Sequence, residues 1–237
     1  MFNLPHSISA HNLIVALVIS ILGYFPLLFF MKALAIGKMG IVSPIASSYT
    51  LLTVVFAIIF YHETLSAGQL IAIFGIILGI ILISINFRDF KNSHLFDPKS
   101  GVPYALLAAL TWGVYFFLIR IPTAHLGTYF VSFLVELVIL VCALFSLLLS
   151  KKPMFEFPDR KSLSFLFFVS LTVSIGVLTY YQAFNIGSVS IVSAIGSSTP
   201  LIVTLYGAIF FRERLKLQQY VGMVGILLGI IGLALIK

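Results

Sequence analysis

Charge is the scarcest property of this chain. Asp, Glu, Lys and Arg make up 9% of its 237 residues, against roughly 25% in a soluble domain. With 61% hydrophobic residues, too little polar surface remains to wrap a solvated globule, which excludes a soluble enzyme. Cysteine is nearly absent: Cys142 stands alone inside an apolar run, so there is no disulfide framework. Catalytic and metal-binding clusters are missing too. His6, His11, His62, His94 and His125 are scattered at or beyond the ends of apolar runs, with no HExxH, no phosphate loop and no clustered acids. The expectation is no catalytic residue, no metal, no cofactor and no enzyme activity. No Lys or Arg precedes the first apolar run and no small-residue cleavage site follows it, so the start does not read as a secretory signal. Ten-residue alternating strands are absent as well, which argues against a barrel.

Apolar sequence is what the chain has in abundance. A spanning helix needs about 20 apolar residues, and eight segments qualify: 12–31, 39–60, 67–87, 102–121, 127–149, 162–184, 189–211 and 219–236. The predicted fold is an all-α polytopic membrane helix bundle, since helices satisfy their own backbone in lipid. The net charge of +7 does not call for nucleic acid, because the cations sort by topology. Taking connections alternately, 12 fall on one side (Lys32, Lys38, Arg88, Lys91, Lys99, Lys151, Lys152, Arg160, Lys161, Arg212, Arg214 and Lys216), and only Arg120 and Lys237 on the other. The positive-inside rule puts the 12 in the cytoplasm and both termini outside, in a multi-pass protein of the plasma or inner membrane.

The chain also says one thing twice. Lys32 to Asn86 aligns without a gap on Gln182 to Ile236, at an offset of 150, with 21 of 55 positions identical. The identities include Glu63/Glu213, Gln69/Gln219, Gly75/Gly225 and Gly79/Gly229, which apolar composition alone does not produce. The expected division is an incomplete first repeat of three helices over 1–90, a linker over 91–101, and a complete second repeat of five helices over 102–237. Matching loops carry opposite charge: Lys32 and Lys38 become Gln182 and Ser188, while His62, Thr64 and Ser66 become Arg212, Arg214 and Lys216. That is the pattern of inverted repeats.

Two features carry a resemblance to the drug/metabolite transporter superfamily, specifically to proteins with two EamA-type repeats. One is Ala109-x-x-Trp112-Gly113-x-x-Phe116. The other is the pair Phe60-x-x-Glu63-x-Leu65-x-x-x-Gln69 and Phe210-x-x-Glu213-Arg214-Leu215-x-x-x-Gln219, each followed by Gly-x-x-x-Gly. The resemblance implies a ten-helix transporter of small organic metabolites or drugs, with a central cavity. The first two of those helices have no counterpart here, so a homodimer or an upstream segment is expected to complete the cavity. Relatives tend to have cytoplasmic termini, opposite to the charge count. Small multidrug resistance relatives use an intramembrane glutamate, which implies a coupling role for Glu136 by helix-level analogy.

The residues name their own candidates. Ser43, Ser47, Ser48 and Thr50, with the twin set Ser193, Ser197, Ser198 and Thr199, form polar stripes beside Pro44 and Pro200. Such helices at matching places of inverted repeats point to a substrate site; the plainer reading is close helix packing. Trp112, Tyr115, Tyr180 and Gln182, with Tyr181 and Asn185, are candidates for stacking and hydrogen bonding to a solute. Glu136 lies mid-helix, where a charge costs roughly 2.5–3.5 kcal/mol, so it should face a cavity or stay protonated. Arg120 reads as a snorkelling cation, and Glu63 and Glu213 as dipole partners of the helices that follow them. The predicted function is transport of small organic solutes by alternating access, either proton-coupled through Glu136 or by facilitated exchange with Glu136 protonated and idle. The alternatives are a non-transporting membrane subunit that needs a partner chain, or an intramembrane enzyme on lipid-linked substrates.

Overall fold

A computed structural model describes residues 9–37, 39–84, 100–149, 159–210, 212 and 215–236. Most of the linker and both Glu213 and Arg214 lie outside the described residues. Among those described, every regular element is a helix. Eight segments are long and apolar enough to cross a membrane, as expected. They comprise α1 (Ala10–Ile36), α2 (Met39–Ser47), α3 (Tyr49–Phe60), α4 (Ala67–Ser84), α5 (Val102–Leu118), α6 (Arg120–Leu126), α7 (Thr128–Leu149), α8 (Arg160–Ile186), α9 (Val189–Gly196), α10 (Thr199–Phe210) and α11 (Leu217–Leu235).

Three spans that read as continuous in sequence are interrupted, and the cause is local. At Ser48 the hydroxyl donates to the Ile45 carbonyl at 2.6 Å. The Ser48 N–H also divides itself between Pro44 and Ile45, so α2 passes into α3 through a tightened turn. The twin span repeats the device: the Ser198 hydroxyl and N–H both donate to Ile195. Pro200 brings no N–H there, and the Thr199 hydroxyl donates to the Gly196 carbonyl at 3.2 Å instead. The third interruption, at Ile119 between α5 and α6, lengthens the predicted span 102–121 to Leu126. Pro26 does not break α1.

The helices gather into two compact units, which cut across the sequence duplication. One holds Leu118–Ile186 with the chain up to Tyr24; the other holds Phe25–Phe117 with Gly187–Lys237. In the second unit α4 packs along α11. Lipid removes the hydrophobic drive for helix pairing, so close packing of small residues must supply it. A Cβ on Gly79 would lie 2.5 Å from the Gly222 carbonyl oxygen and 2.7 Å from Ile226 Cγ1. A Cβ on Gly229 would lie 2.7 Å from the Ala72 oxygen and 2.6 Å from Ile76 Cγ1. Adding 150 to one set of numbers gives the partners of the other. Between them Gly75 faces its own twin, Gly225. Contacts that advance along α4 retreat along α11, so the twin helices run antiparallel about an approximate two-fold axis. Gln218 and Gln219 close the seam by donating to the Leu82 and Ile83 carbonyls. Ile73, Ile76, Ile80, Ala194, Leu201 and Ile226 form the buried core around it.

The duplication reaches the backbone. Among the described residues, the non-glycine positions with positive φ are His62 and Arg212, both at 52° and 150 residues apart. Each turns the chain sharply after its helix. Ser66 and Gln69 form the capping box their spacing predicts: the Ser66 N–H donates to Gln69 Oε1 at 2.9 Å, and the Gln69 N–H to Ser66 Oγ at 3.2 Å. The twin keeps half of it, with the Lys216 N–H on Gln219 Oε1.

Candidate functional site

The paired helix interruptions open onto one cavity of the second unit. Its volume is about 480 Å³, within the range of small-molecule sites. Ser43, Ala46, Ser47 and Tyr49 line it from the first interruption, and Gly196, Ser197, Thr199, Pro200 and Thr204 from the second. Three of these are twin pairs: Ala46 with Gly196, Ser47 with Ser197, and Tyr49 with Thr199. Phe30, Trp112, Ile83 and Ser84 complete the wall. The Trp112 ring lies 5.2 Å from Phe30 and 6.0 Å from Tyr49 between centroids. The lining therefore offers serine and threonine hydroxyls beside an aromatic face, and no charged side chain among the described residues.

The candidates sort themselves by place. Ser43, Ser47, Trp112, Ser197 and Thr199 line this cavity. Ser48 and Ser198 do not; their hydroxyls are committed to shaping the interruptions. Thr50 and Ser193 are buried away from the lining, with no hydrogen-bond partner for either hydroxyl. Tyr115 is buried against Phe116 at 5.3 Å.

Tyr180, Gln182 and Glu136 belong to the other unit. The Tyr180 ring lies tilted against Phe184, 4.6 Å between centroids. Gln182 lines a separate cavity of about 440 Å³ with Thr128, Tyr129, Thr179 and Ile186. Asn185 is committed to structure: it donates to Thr128 Oγ1 at 2.7 Å and to the Thr123 carbonyl, and accepts from the Thr123 hydroxyl at 3.0 Å. Glu136 lies on an exposed face of α7 beside Phe133, Leu137 and Leu140.

Glu63 departs from expectation. Its carboxylate reaches the start of a helix about 125 residues further along the chain. It accepts from the Ser188 hydroxyl at 2.7 Å, the Val189 N–H at 2.6 Å and the Ser190 N–H at 3.1 Å, at the start of α9. Burial raises the Glu63 carboxyl, but the donors at Ser188, Ser190 and Val189 outweigh it and hold it below the usual carboxylate range. The α9 N-terminus also favours the charged form.

A family model, the EamA-like transporter family, matches residues 2–85 and 99–235. The chain belongs to that family. This EamA-like chain is 26% identical over 199 residues to an uncharacterized transporter of Archaeoglobus fulgidus, across 84% of its own length and 67% of the relative's. An uncharacterized protein of Methanocaldococcus jannaschii is 32% identical over 136 residues, which are 57% of this chain and 97% of that protein. A solved crystal structure superposes with a TM-score of 0.77 at 19% identity, covering 98% of this chain and 80% of the other, a likeness of fold. The EamA-like chain is thus a multi-pass membrane protein of a transporter family.

Tyr49, Phe30, Ser84 and Thr204 are lining residues that sequence reasoning missed. Tyr49 was within reach, because the offset of 150 carries the candidate Thr199 onto it. Thr204 has no such signal, since its twin is Val54. Phe30 and Ser84 come from helices outside the polar stripes.

Proposed function

We infer that the chain moves small organic metabolites or drugs across the plasma or inner membrane by alternating access around the 480 Å³ cavity. The observation that carries this reading is the convergence of both interrupted twin spans on one cavity. Discontinuous helices at matching places of inverted repeats put a site at the repeat interface, where rocking of one repeat against the other exposes it to either side. Hydroxyls and aromatic rings without charged lining groups favour neutral or zwitterionic solutes that combine an apolar body with a few hydrogen-bonding groups. The apolar wall supplies contact, and the hydroxyls supply orientation.

Glu136 stands in the other unit, exposed on a membrane-spanning helix. A carboxyl at that depth is held neutral or given a cation partner, which supports a coupling role apart from solute contact. The test is uptake into proteoliposomes of solutes first selected by thermal stabilisation of the purified protein. Ser47→Ala combined with Thr199→Val should weaken apparent affinity about fivefold to tenfold per hydrogen bond lost, about 1 kcal/mol each. Uptake with unchanged affinity in that variant would reject the cavity as the site.

A further inference from the structure

The bond between Glu63 and α9 joins twin halves of the duplication. Glu63 stands in the connection from α3 to α4, and its three donors open α9, which packs on α3. The far end of α9 is Gly196, and Gly196 and Ser197 line the cavity. Both connections lie on the cation-poor face, outward by the positive-inside rule. A carboxylate on that face therefore tethers one end of a short helix whose other end borders the candidate solute.

Two details separate this tether from an ordinary cap. Ser188 is the N-cap residue of α9, yet its side chain makes no cap bond to its own helix. Its hydroxyl donates to Glu63 instead. If Glu63 withdraws, the Ser188 oxygen is placed to take the usual N-cap role and accept an N–H of the first turn. The α9 N-terminus thus has a second acceptor in reserve, which lowers the cost of release. The second detail is His62, held at φ 52° immediately before Glu63. A side chain in that region is strained, and here it turns the chain that presents the carboxylate.

We propose that Glu63 is a positioning residue that latches the outer face of the transporter, and that outward opening exchanges the Glu63 acceptor for the Ser188 oxygen at the start of α9. The inference rests on the alternating-access reading. Opening breaks the bonds from Ser188, Val189 and Ser190 and makes one at the Ser188 oxygen, so the closed outer face is favoured while Glu63 is engaged.

The test is labelling of Thr199→Cys, an exposed cavity position, by a membrane-impermeant maleimide in the full chain with Cys142→Ser. Intact cells and inside-out vesicles supply the two faces, and labelling of Thr64→Cys identifies the latch face. Glu63→Ala should raise the labelling rate from the latch face about tenfold or more and leave the opposite face no faster. Glu63→Gln, which keeps one oxygen acceptor, should fall between Glu63→Ala and the parent, and carries the test if Glu63→Ala does not fold. Ser188→Ala removes a bond from both states, so it should lower Tm while labelling stays within about threefold of the parent. A cap with no gating role would lower Tm in the Glu63 variants at unchanged labelling, and that result overturns the latch. Labelling needs no solute, so faster labelling in the Thr199→Cys chain, beside no flux of any solute through the chain that keeps Thr199, retains the latch and rejects the transport reading. Flux with unchanged labelling does the reverse.

Discussion

Gly75 and Gly79 lie one helical turn apart on α4 and read identically in sequence, but the structure gives alanine opposite consequences at the two. A Cβ at Gly79 would stand 2.5 Å from the Gly222 carbonyl oxygen, and ordinary contact begins at 3.4 Å. Gly222 is backbone of the facing helix and cannot rotate away, so α4 and α11 must separate locally by nearly an ångström. Forcing a methyl into such packing costs about 1–3 kcal/mol, of which alanine's better helix propensity returns up to about 1 kcal/mol. At Gly75 the Cβ would lie 3.7 Å from the Gly225 oxygen, an ordinary contact, so only the propensity gain remains. Gly79→Ala should therefore fall about 1–3 kcal/mol below Gly75→Ala in unfolding free energy. The pseudo-two-fold adds a constraint: Gly229→Ala should behave like Gly79→Ala, and Gly225→Ala like Gly75→Ala. Reversible denaturant unfolding in detergent micelles measures all four. Equal losses at Gly75 and Gly79, or a Gly229 variant as stable as the parent, would refute the antiparallel seam.

Three further outcomes follow from the same geometry. His62→Gly and Arg212→Gly relieve the positive φ at 52° and should each raise thermal stability by about 1 kcal/mol, whereas His62→Val should lower it. Because the folded pKa of Glu63 is depressed, its contribution to stability is present above the ordinary carboxylate pKa and disappears as pH falls through the folded value. The Tm gap between the parent and Glu63→Gln should accordingly narrow on acidification, and a gap that widens contradicts the assignment. Glu136→Gln should abolish pH-driven accumulation while solute exchange continues, since Glu136 and the cavity belong to different units; retained pH-driven accumulation removes its coupling role.

The membrane spans were legible because lipid demands long apolar helices and little else of them. The inversion was legible in loop charges, and α4 against α11 bears it out at the glycines. The interruptions were not, because Ser48 and Ser198 break their spans through a hydrogen bond that serine makes as readily in an unbroken helix. Ser48 and Ser198 consequently shape the backbone rather than line the cavity, which takes its other walls from Trp112, Phe30 and Ser84. Glu63 misled for a related reason. Proximity in sequence assigned it to α4, but the αL turn at His62 delivers the carboxylate to α9. Partners fixed by tertiary placement leave no trace in spacing.

Trp112 is the only tryptophan of the chain, and it lines the cavity, so its emission reports on that site without labels. The direct measurement is titration of the purified protein with solutes that raise its Tm, read by Trp112 fluorescence. A saturable change in emission is expected, with the same midpoint as the thermal stabilisation, and a weakening of both in Ser47→Leu, which puts an isobutyl group into the cavity. Solutes that stabilise the protein while Trp112 emission stays constant, and that do so equally in Ser47→Leu, would place the site elsewhere and contradict the account.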